Sequence, residues 1–163
     1  MENEFMFGPS LLICAVTEPM YYGPESTVLN REKIWECYLP AGTIWYDYWT
    51  NEKYEGGQYV KVETPIDRIP IFVKAGAIIP VADGLVYAEQ EPEKPVQIIV
   101  YPGGRRRVLC CMRMKEITIT LRMGAYATTR FQWKDAAGQL VNGRREGNFP
   151  GMREAVYETV IIK

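Results

Sequence analysis

The stretch from Tyr38 to Pro80 constrains the fold more than any other part of the chain. It reads YLPAGTIWYDYWT, then YEGGQ, then PIDRIPIFVKAGAIIP. Trp45, Tyr46, Tyr48 and Trp49 are bulky aromatics that favour a pleated, half-buried surface over a helix. Pro40, Ala41 and Gly42 supply a turn into this run, and Glu55-Gly56-Gly57 a turn out of it. Further on, Ile69, Ile71 and Val73 alternate, which sends them to one face of a strand. Pro70 lacks the N–H that a ladder needs, so this run is expected at a sheet edge or a bulge. Gly76 then breaks the strand before Ile78-Ile79-Pro80. Aromatic and β-branched strands joined by Gly, Pro and Asp loops predict half of a β-sandwich.

The remainder is compatible with that class. The chain has 163 residues, room for one domain or two small ones, and 47% hydrophobic residues, enough for a core. Eleven Pro, fourteen Gly and a high aromatic content favour many short strands. A net charge of −1 gives no electrostatic reason to bind nucleic acid or an anionic membrane. The Arg105-Arg106-Arg107 run is a weak signal in a net-acidic chain, so no nucleic acid partner is expected. Cys14, Cys37, Cys110 and Cys111 show no CxxC spacing and read as small buried apolar residues. The acidic start Met1-Glu2-Asn3-Glu4 is unlike a signal peptide, and the longest apolar run, Leu11 to Val16, is far too short to span a bilayer. No membrane partner is expected, and localisation stays open.

Taken in order, Phe5-Met6-Phe7 precede a turn at Gly8-Pro9, and the apolar run 11–16 follows. A continuous apolar run of this length suits a strand covered on both faces. It reads either as a strand whose neighbour is missing or as a central strand of an antiparallel sandwich. Residues 17–33 are a loop, which Tyr21 and Tyr22 are placed to pack down, and Ile34–Leu39 alternates as a strand. Residues 82–95, with four acids and two prolines, form the clearest linker. Val96–Tyr101 opens a second sandwich. Thr128–Trp133 is a strand with a turn at Asp135–Gly138, Gln139-Leu140-Val141 begins the return, Arg144–Gly151 is a basic turn, and Ala155–Ile162 closes the sheet.

The Tyr38–Pro80 motifs, together with EFMFGPSLLICAVTEP at 4–19 and REGNFPGM at 145–152, resemble the C-terminal region of glycoside hydrolase family 31, the α-glucosidases and α-xylosidases. The order matches, and the resemblance covers nearly the whole chain. It implies an all-β chain of two small antiparallel β-sandwich domains in series, preceded by an orphan strand of a (β/α)8 barrel. The implied boundaries are 1–22 for the last barrel strand and its connection, 23–86 for the proximal sandwich and 87–163 for the distal one. The implied partner is the catalytic barrel of a parent enzyme, and oligosaccharide is met only through that parent. Without its neighbours, the 5–16 strand is expected to drive self-association.

Residues 105–123, RRRVLCCMRMKEITITLRM, depart from this pattern. They hold six basic residues and one acid, whereas the family has an acidic strand-and-turn of the type LYEDEGDNY. Joining the last base of each codon to the first two of the next turns Cys110-Cys111 into Leu and Cys111-Met112 into Tyr or His. The same shift permits Glu at Met112-Arg113, Asp at Arg113-Met114, Gly at Lys115-Glu116 and Asp at Glu116-Ile117, and it forces Glu at Met114-Lys115. The shifted reading thus permits LYEDEGD, which points to two compensating frame changes near Gly104 and Gly124. The alternative is a genuine basic strand with Ile117, Ile119 and Leu121 on one face.

Catalytic parts are scarce. Glycoside hydrolysis with retention uses two carboxyl groups about 5–5.5 Å apart, one with a raised pKa. In the family these are barrel aspartates upstream of the matching region, so no catalytic residue is expected here. Asp47, between Trp45 and Trp49, resembles a carboxylate beside a sugar platform, but a strand or turn aspartate with a backbone or Arg partner explains it better. Asp67-Arg68 reads as a surface or interface ion pair. With no His, Ser–His and Cys–His nucleophile pairs are ruled out, no metal site is expected, and no cofactor is implied. The resemblance places Phe5 and Phe7 at the edge of the parent's sugar pocket. Trp45 and Trp49 are candidates for stacking on sugars, although a sandwich of this size needs most such rings in its core. Two other readings remain: a free-standing carbohydrate-binding β-sandwich module, and a purely structural interaction domain.

Overall fold

The computed structural model describes residues 3–87, 90, 95–103, 108–114, 126–149, 152 and 157–161. The chain divides into two compact units, Met1–Ala75 and Gly76–Lys163. Both are built of strands.

Unit 1 contains β1 (Glu4–Phe7), β2 (Leu11–Cys14), β3 (Ile34–Leu39), β4 (Ile44–Asp47), β5 (Lys53–Glu55), β6 (Gln58–Glu63) and β7 (Ile71–Lys74). Five of them form a sheet in the order β1-β2-β7-β4-β5, antiparallel throughout, while β3 and β6 form an antiparallel pair. The core lies between the two layers. Leu12, Cys14, Trp45 and Phe72 from the larger sheet meet Cys37, Leu39, Val60 and Val62 from the pair. Alternation explains the choice: in Gln58–Glu63 only Val60 and Val62 are buried, as the period of two in a strand with one face on a core requires.

The turn between β5 and β6 needs its glycines. A Cβ on Gly56 would meet the Pro40 carbonyl oxygen at 2.2 Å, and Gly57 has φ of +89°, a region that L side chains avoid. Residues 17–33 form the expected loop. Tyr21 ties it down by donating its hydroxyl to the Thr64 carbonyl at 2.9 Å, and Lys33 donates to the carbonyls of Met20 and Leu29. Tyr22 is exposed, and its backbone forms a bridge to Val28.

Two expectations about strand placement change. Pro70 lies just before β7, so its missing N–H removes no ladder bond, and its carbonyl accepts from the Cys14 N–H at 3.0 Å. β7 is therefore the middle strand of the sheet, not an edge. Leu11–Cys14 is likewise no orphan. It is paired on both sides within unit 1, to β1 and to β7, as the antiparallel-sandwich alternative requires.

Unit 2 contains β8 (Ile78–Val81), β9 (Val96–Val100), β10 (Val108–Met114), β11 (Tyr126–Lys134), β12 (Gln139–Asn142), β13 (Glu146–Gly147) and β14 (Tyr157–Ile161). One sheet runs β14-β9-β8; the other runs β10-β11-β12, with β13 also on β11. Ile78, Ile98, Val100, Phe131 and Trp133 form its core. β14 pairs with β9 in parallel, a departure from the all-antiparallel expectation. Such a pair needs a long crossover connection, which residues 101–156 supply.

The division at Ala75/Gly76 falls ahead of the expected 86/87 boundary because β8 pairs with β9 rather than with unit 1. Pro80 sits in β8, the edge of its sheet, where a strand tolerates proline. Of the acidic 82–95 linker, residues 82–87, 90 and 95 are described. Of the 105–123 segment, Val108–Met114 pairs with β11 throughout its length, with Leu109 and Cys111 packed on the core and Val108 and Cys110 exposed. The face proposed for Ile117, Ile119 and Leu121 lies outside the described residues.

Candidate functional site: an apolar sheet edge

β1 and β2 form a hairpin around Gly8, whose φ of +64° suits the turn. Residues directly opposite in an antiparallel pair share a face. Glu4 thus lies with Cys14, and Met6 with Leu12, on the side of the unit 1 core. Glu4 is tied there, its Oε1 accepting from the backbone N–H of Tyr38 at 2.7 Å. Phe5 lies with Ile13, and Phe7 with Leu11, on the opposite face. β2 continues this second face into β7, where Ile71 is opposite Ile13 and Val73 opposite Leu11.

The result is a strand with two kinds of unmet capacity. Among the described residues, β1 pairs with β2 alone, so its outer row of backbone groups is open. Its side chains are apolar yet exposed: Phe5 by 53% and Phe7 by 66%, with Met6 also exposed. An open edge lined with large apolar groups is a template for association. Phe5 and Phe7 were singled out by the sequence; Met6, Leu11 and Ile13 were not assigned to the site, although the alternation in 4–14 places them.

The two tryptophans part company. Trp45 is 2% exposed, packs in the unit 1 core, and donates its Nε1–H to the Pro40 carbonyl at 2.9 Å. No sugar reaches that ring, which corrects its place as a stacking candidate. Trp49 is 41% exposed, but its Nε1–H donates to the Ile69 carbonyl at 2.8 Å and the Arg68 guanidinium lies 5.2 Å from the ring centroid. Tyr48 packs edge-on against it at 5.1 Å. Arg68 also pairs with Asp67 at 3.8 Å, both groups well exposed.

Asp47 is buried and shapes a turn. Its Oδ1 accepts from the N–H groups of Trp49 at 2.7 Å and Thr50 at 2.9 Å, the pattern by which Asp stabilises a turn through its own side chain. Cys14 and Cys37 are both fully buried in the same core. A hydrogen bond with Cys37, then burial, pushes the Cys14 thiol far above its usual range, so it is no nucleophile. Burial raises Cys111 as well. Tyr54 is pushed up to about 12 by desolvation and by its hydrogen bond to Glu52 at 2.7 Å. Among the described residues no three His, Cys, Asp or Glu side chains are grouped to hold a metal ion, and no helix is long and apolar enough to cross a membrane.

Fold and surface define an all-β chain of two strand-built units, in which one strand of unit 1 presents an open, apolar edge and the buried Asp47 is held by backbone donors. Comparison with known proteins gives the family. Residues 1–79 match the model of the glycosyl hydrolase family 31 C-terminal domain. An α-xylosidase of Saccharolobus solfataricus is 32% identical over 146 residues, covering 90% of this chain and 18% of that protein. The human neutral alpha-glucosidase C is 38% identical over 82 residues, 50% of this chain and 8% of the relative. The crystal structure of a family 31 α-xylosidase from Xanthomonas citri superposes with a TM-score of 0.84 at 28% identity, covering 99% of this chain and 16% of that one. The chain is a C-terminal region of glycosyl hydrolase family 31, and it spans less than a fifth of the length of these relatives.

Proposed function

We propose that this chain is the non-catalytic C-terminal portion of a retaining family 31 glycosidase, an α-xylosidase or α-glucosidase, and that it supports the enzyme's catalytic domain. The observation that carries this reading is β1: an apolar, half-paired strand at the edge of an otherwise well-packed sheet, in a region that corresponds to 16–18% of the two α-xylosidase relatives. The occupant of that edge is the catalytic barrel of the parent enzyme. Its strand would complete the backbone ladder of β1, and its side chains would cover Phe5 and Phe7. Phe5 and Phe7 are 53% and 66% exposed, so covering what remains of each contributes about 1–2 kcal/mol. Phe5 and Phe7 would then also stand at the rim of the parent's sugar pocket, where they restrict the sugar without taking part in proton transfer. Oligosaccharide reaches this chain only through that parent.

The carboxylates support the same division of labour. Retention needs one ionised nucleophile and one acid held protonated across the scissile bond. Asp47 is already satisfied by two backbone N–H groups, and Asp67 is exposed beside Arg68. The purified chain is therefore expected to give no turnover of aryl α-xylosides or aryl α-glucosides; turnover that persists through purification overturns the proposal. The exposed part of Trp49 favours a second reading, a carbohydrate-binding module. Calorimetry with xylo- and gluco-oligosaccharides separates the two, since a module gives saturable binding and a supporting domain gives none.

A further inference from the structure

The turn after β12 carries chemistry that the supporting role does not use. Arg144, Arg145, Gly147 and Asn148 line a cleft of about 530 Å³ in unit 2. Ligand pockets commonly run from about 300 to 1,000 Å³, so the cleft exceeds the needs of a lone inorganic ion. Both arginines are exposed, and among the described residues neither makes an ion pair or a side-chain hydrogen bond. Glu146, their neighbour in the chain, pairs with neither; its backbone lies opposite Thr128 in the β13–β11 ladder.

The segment holding these groups is fixed at both ends. On one side the Gly143 N–H donates to the Arg130 carbonyl at 2.6 Å. On the other, Gly147 lies opposite Ala127 and Phe149 is buried. Gly147 has φ of +85°, and a Cβ there would meet the Tyr126 carbonyl oxygen at 2.4 Å, so only glycine lets the segment lie this close to β11. The tethered backbone holds the two guanidinium forks near one another, and each fork matches an oxyanion through paired N–H groups.

We propose that the cleft formed by Arg144, Arg145, Gly147 and Asn148 binds the oxyanion of a small acidic ligand, a carboxylate or a phosphate monoester. The guanidinium groups hold the charge, and the Asn148 amide supplies neutral donors and an acceptor for the rest of the ligand. All residues involved lie in unit 2, so this inference stands or falls apart from the docking of β1.

Nuclear magnetic resonance titration of the full chain at low ionic strength tests it, with D-glucuronate, D-glucose 6-phosphate and neutral D-glucose as probes. At least one acidic probe should move the backbone signals of residues 144–148 saturably while glucose leaves them in place. Which acid binds identifies the source, carboxylate or phosphate. Raising the salt from about 0.01 M to about 1 M should abolish the effect, because screening shortens from about 30 Å to about 3 Å. Affinity should fall at least tenfold in R144Q/R145Q, about 1.4 kcal/mol, because the charge-assisted hydrogen bonds to the oxyanion are lost. Shifts caused equally by glucose, shifts centred elsewhere, or no shift with either acid overturn the proposal, and these readouts need only the wild-type chain. Unchanged affinity in a folded R144Q/R145Q overturns it too.

Discussion

At one end of the five-stranded sheet, β5 shows Lys53 and Glu55 to solvent; at the other, β1 shows Phe5, Met6 and Phe7. Both are edge strands of the same sheet, both are short, and each has one neighbour. Charged groups are a common protection of an exposed edge, because an incoming strand would have to desolvate them. β5 has that protection and also turns away sharply at Gly56, which closes against Pro40. β1 carries its charge at Glu4 alone, and that carboxylate is engaged inside by the Tyr38 N–H. The contrast is that one edge of the five-stranded sheet is protected by charge while the other is open and apolar.

Substitutions can sharpen or break this comparison, beginning inside the sheet. Phe72 is fully buried in β7 between the two edges, so Phe72→Ala should cost about 3–5 kcal/mol in guanidinium denaturation. Asp47→Ala leaves the N–H groups of Trp49 and Thr50 without their acceptor and should cost about 1–3 kcal/mol in the same assay. A loss as small as that of a surface change would show that the turn does not depend on Asp47.

The edges themselves should respond in association rather than in stability. The isolated chain is expected to self-associate through β1, with a mass by light scattering that rises with concentration. Phe5→Lys together with Phe7→Lys should return it to a monomer, with folding stability changed by only about 0.5 kcal/mol. The mirror experiment, Lys53→Phe with Glu55→Phe, should create association at β5. A wild-type chain that stays monomeric at every concentration contradicts the claim for β1.

The smallest effect is at high pH. Tyr54, the middle residue of β5, is pushed up to about 12 from the usual 10 by desolvation and by its hydrogen bond to Glu52. Between those values the unfolded chain releases a proton that the folded chain keeps, so this tyrosine's contribution is complete below pH 10 and is lost as pH rises through 12. Ultraviolet titration should show Tyr54 among the late-ionising tyrosines, and Tyr54→Phe should lower the amplitude of that late step by one residue.

The sequence made the sandwich class visible because its strands alternate and its turns carry Gly, Pro and Asp. Ile34–Leu39 and the strand around Thr128–Trp133 are where the alternation places them. Pro70 misled because a missing N–H matters only inside a ladder, and one residue of displacement moves it out of the strand. The two compact units divide ahead of the acidic linker because composition marks a linker, while pairing partners decide which unit a strand joins; Ile78–Val81 pairs forward. Trp45 and Trp49 look alike in sequence, and only packing separates the core ring from the one beside Arg68. The resemblance named Phe5 and Phe7 for the rim of a sugar pocket, and the structure shows them on an exposed strand edge. The cleft at Arg144 and Arg145 was legible only as a basic turn, since nothing in the local sequence shows that its arginines lack partners.

The measurement that bears most directly on the supporting role is a nucleotide read from well upstream of codon 1 through codon 125. The account predicts an upstream open frame that encodes a catalytic barrel with two strand-end aspartates and leads into Glu4–Phe7. The same read should restore an acidic LYEDEGD-like stretch in place of residues 105–123. A stop codon and promoter immediately before Met1, with the basic stretch unchanged, would contradict it and make the chain an independent protein.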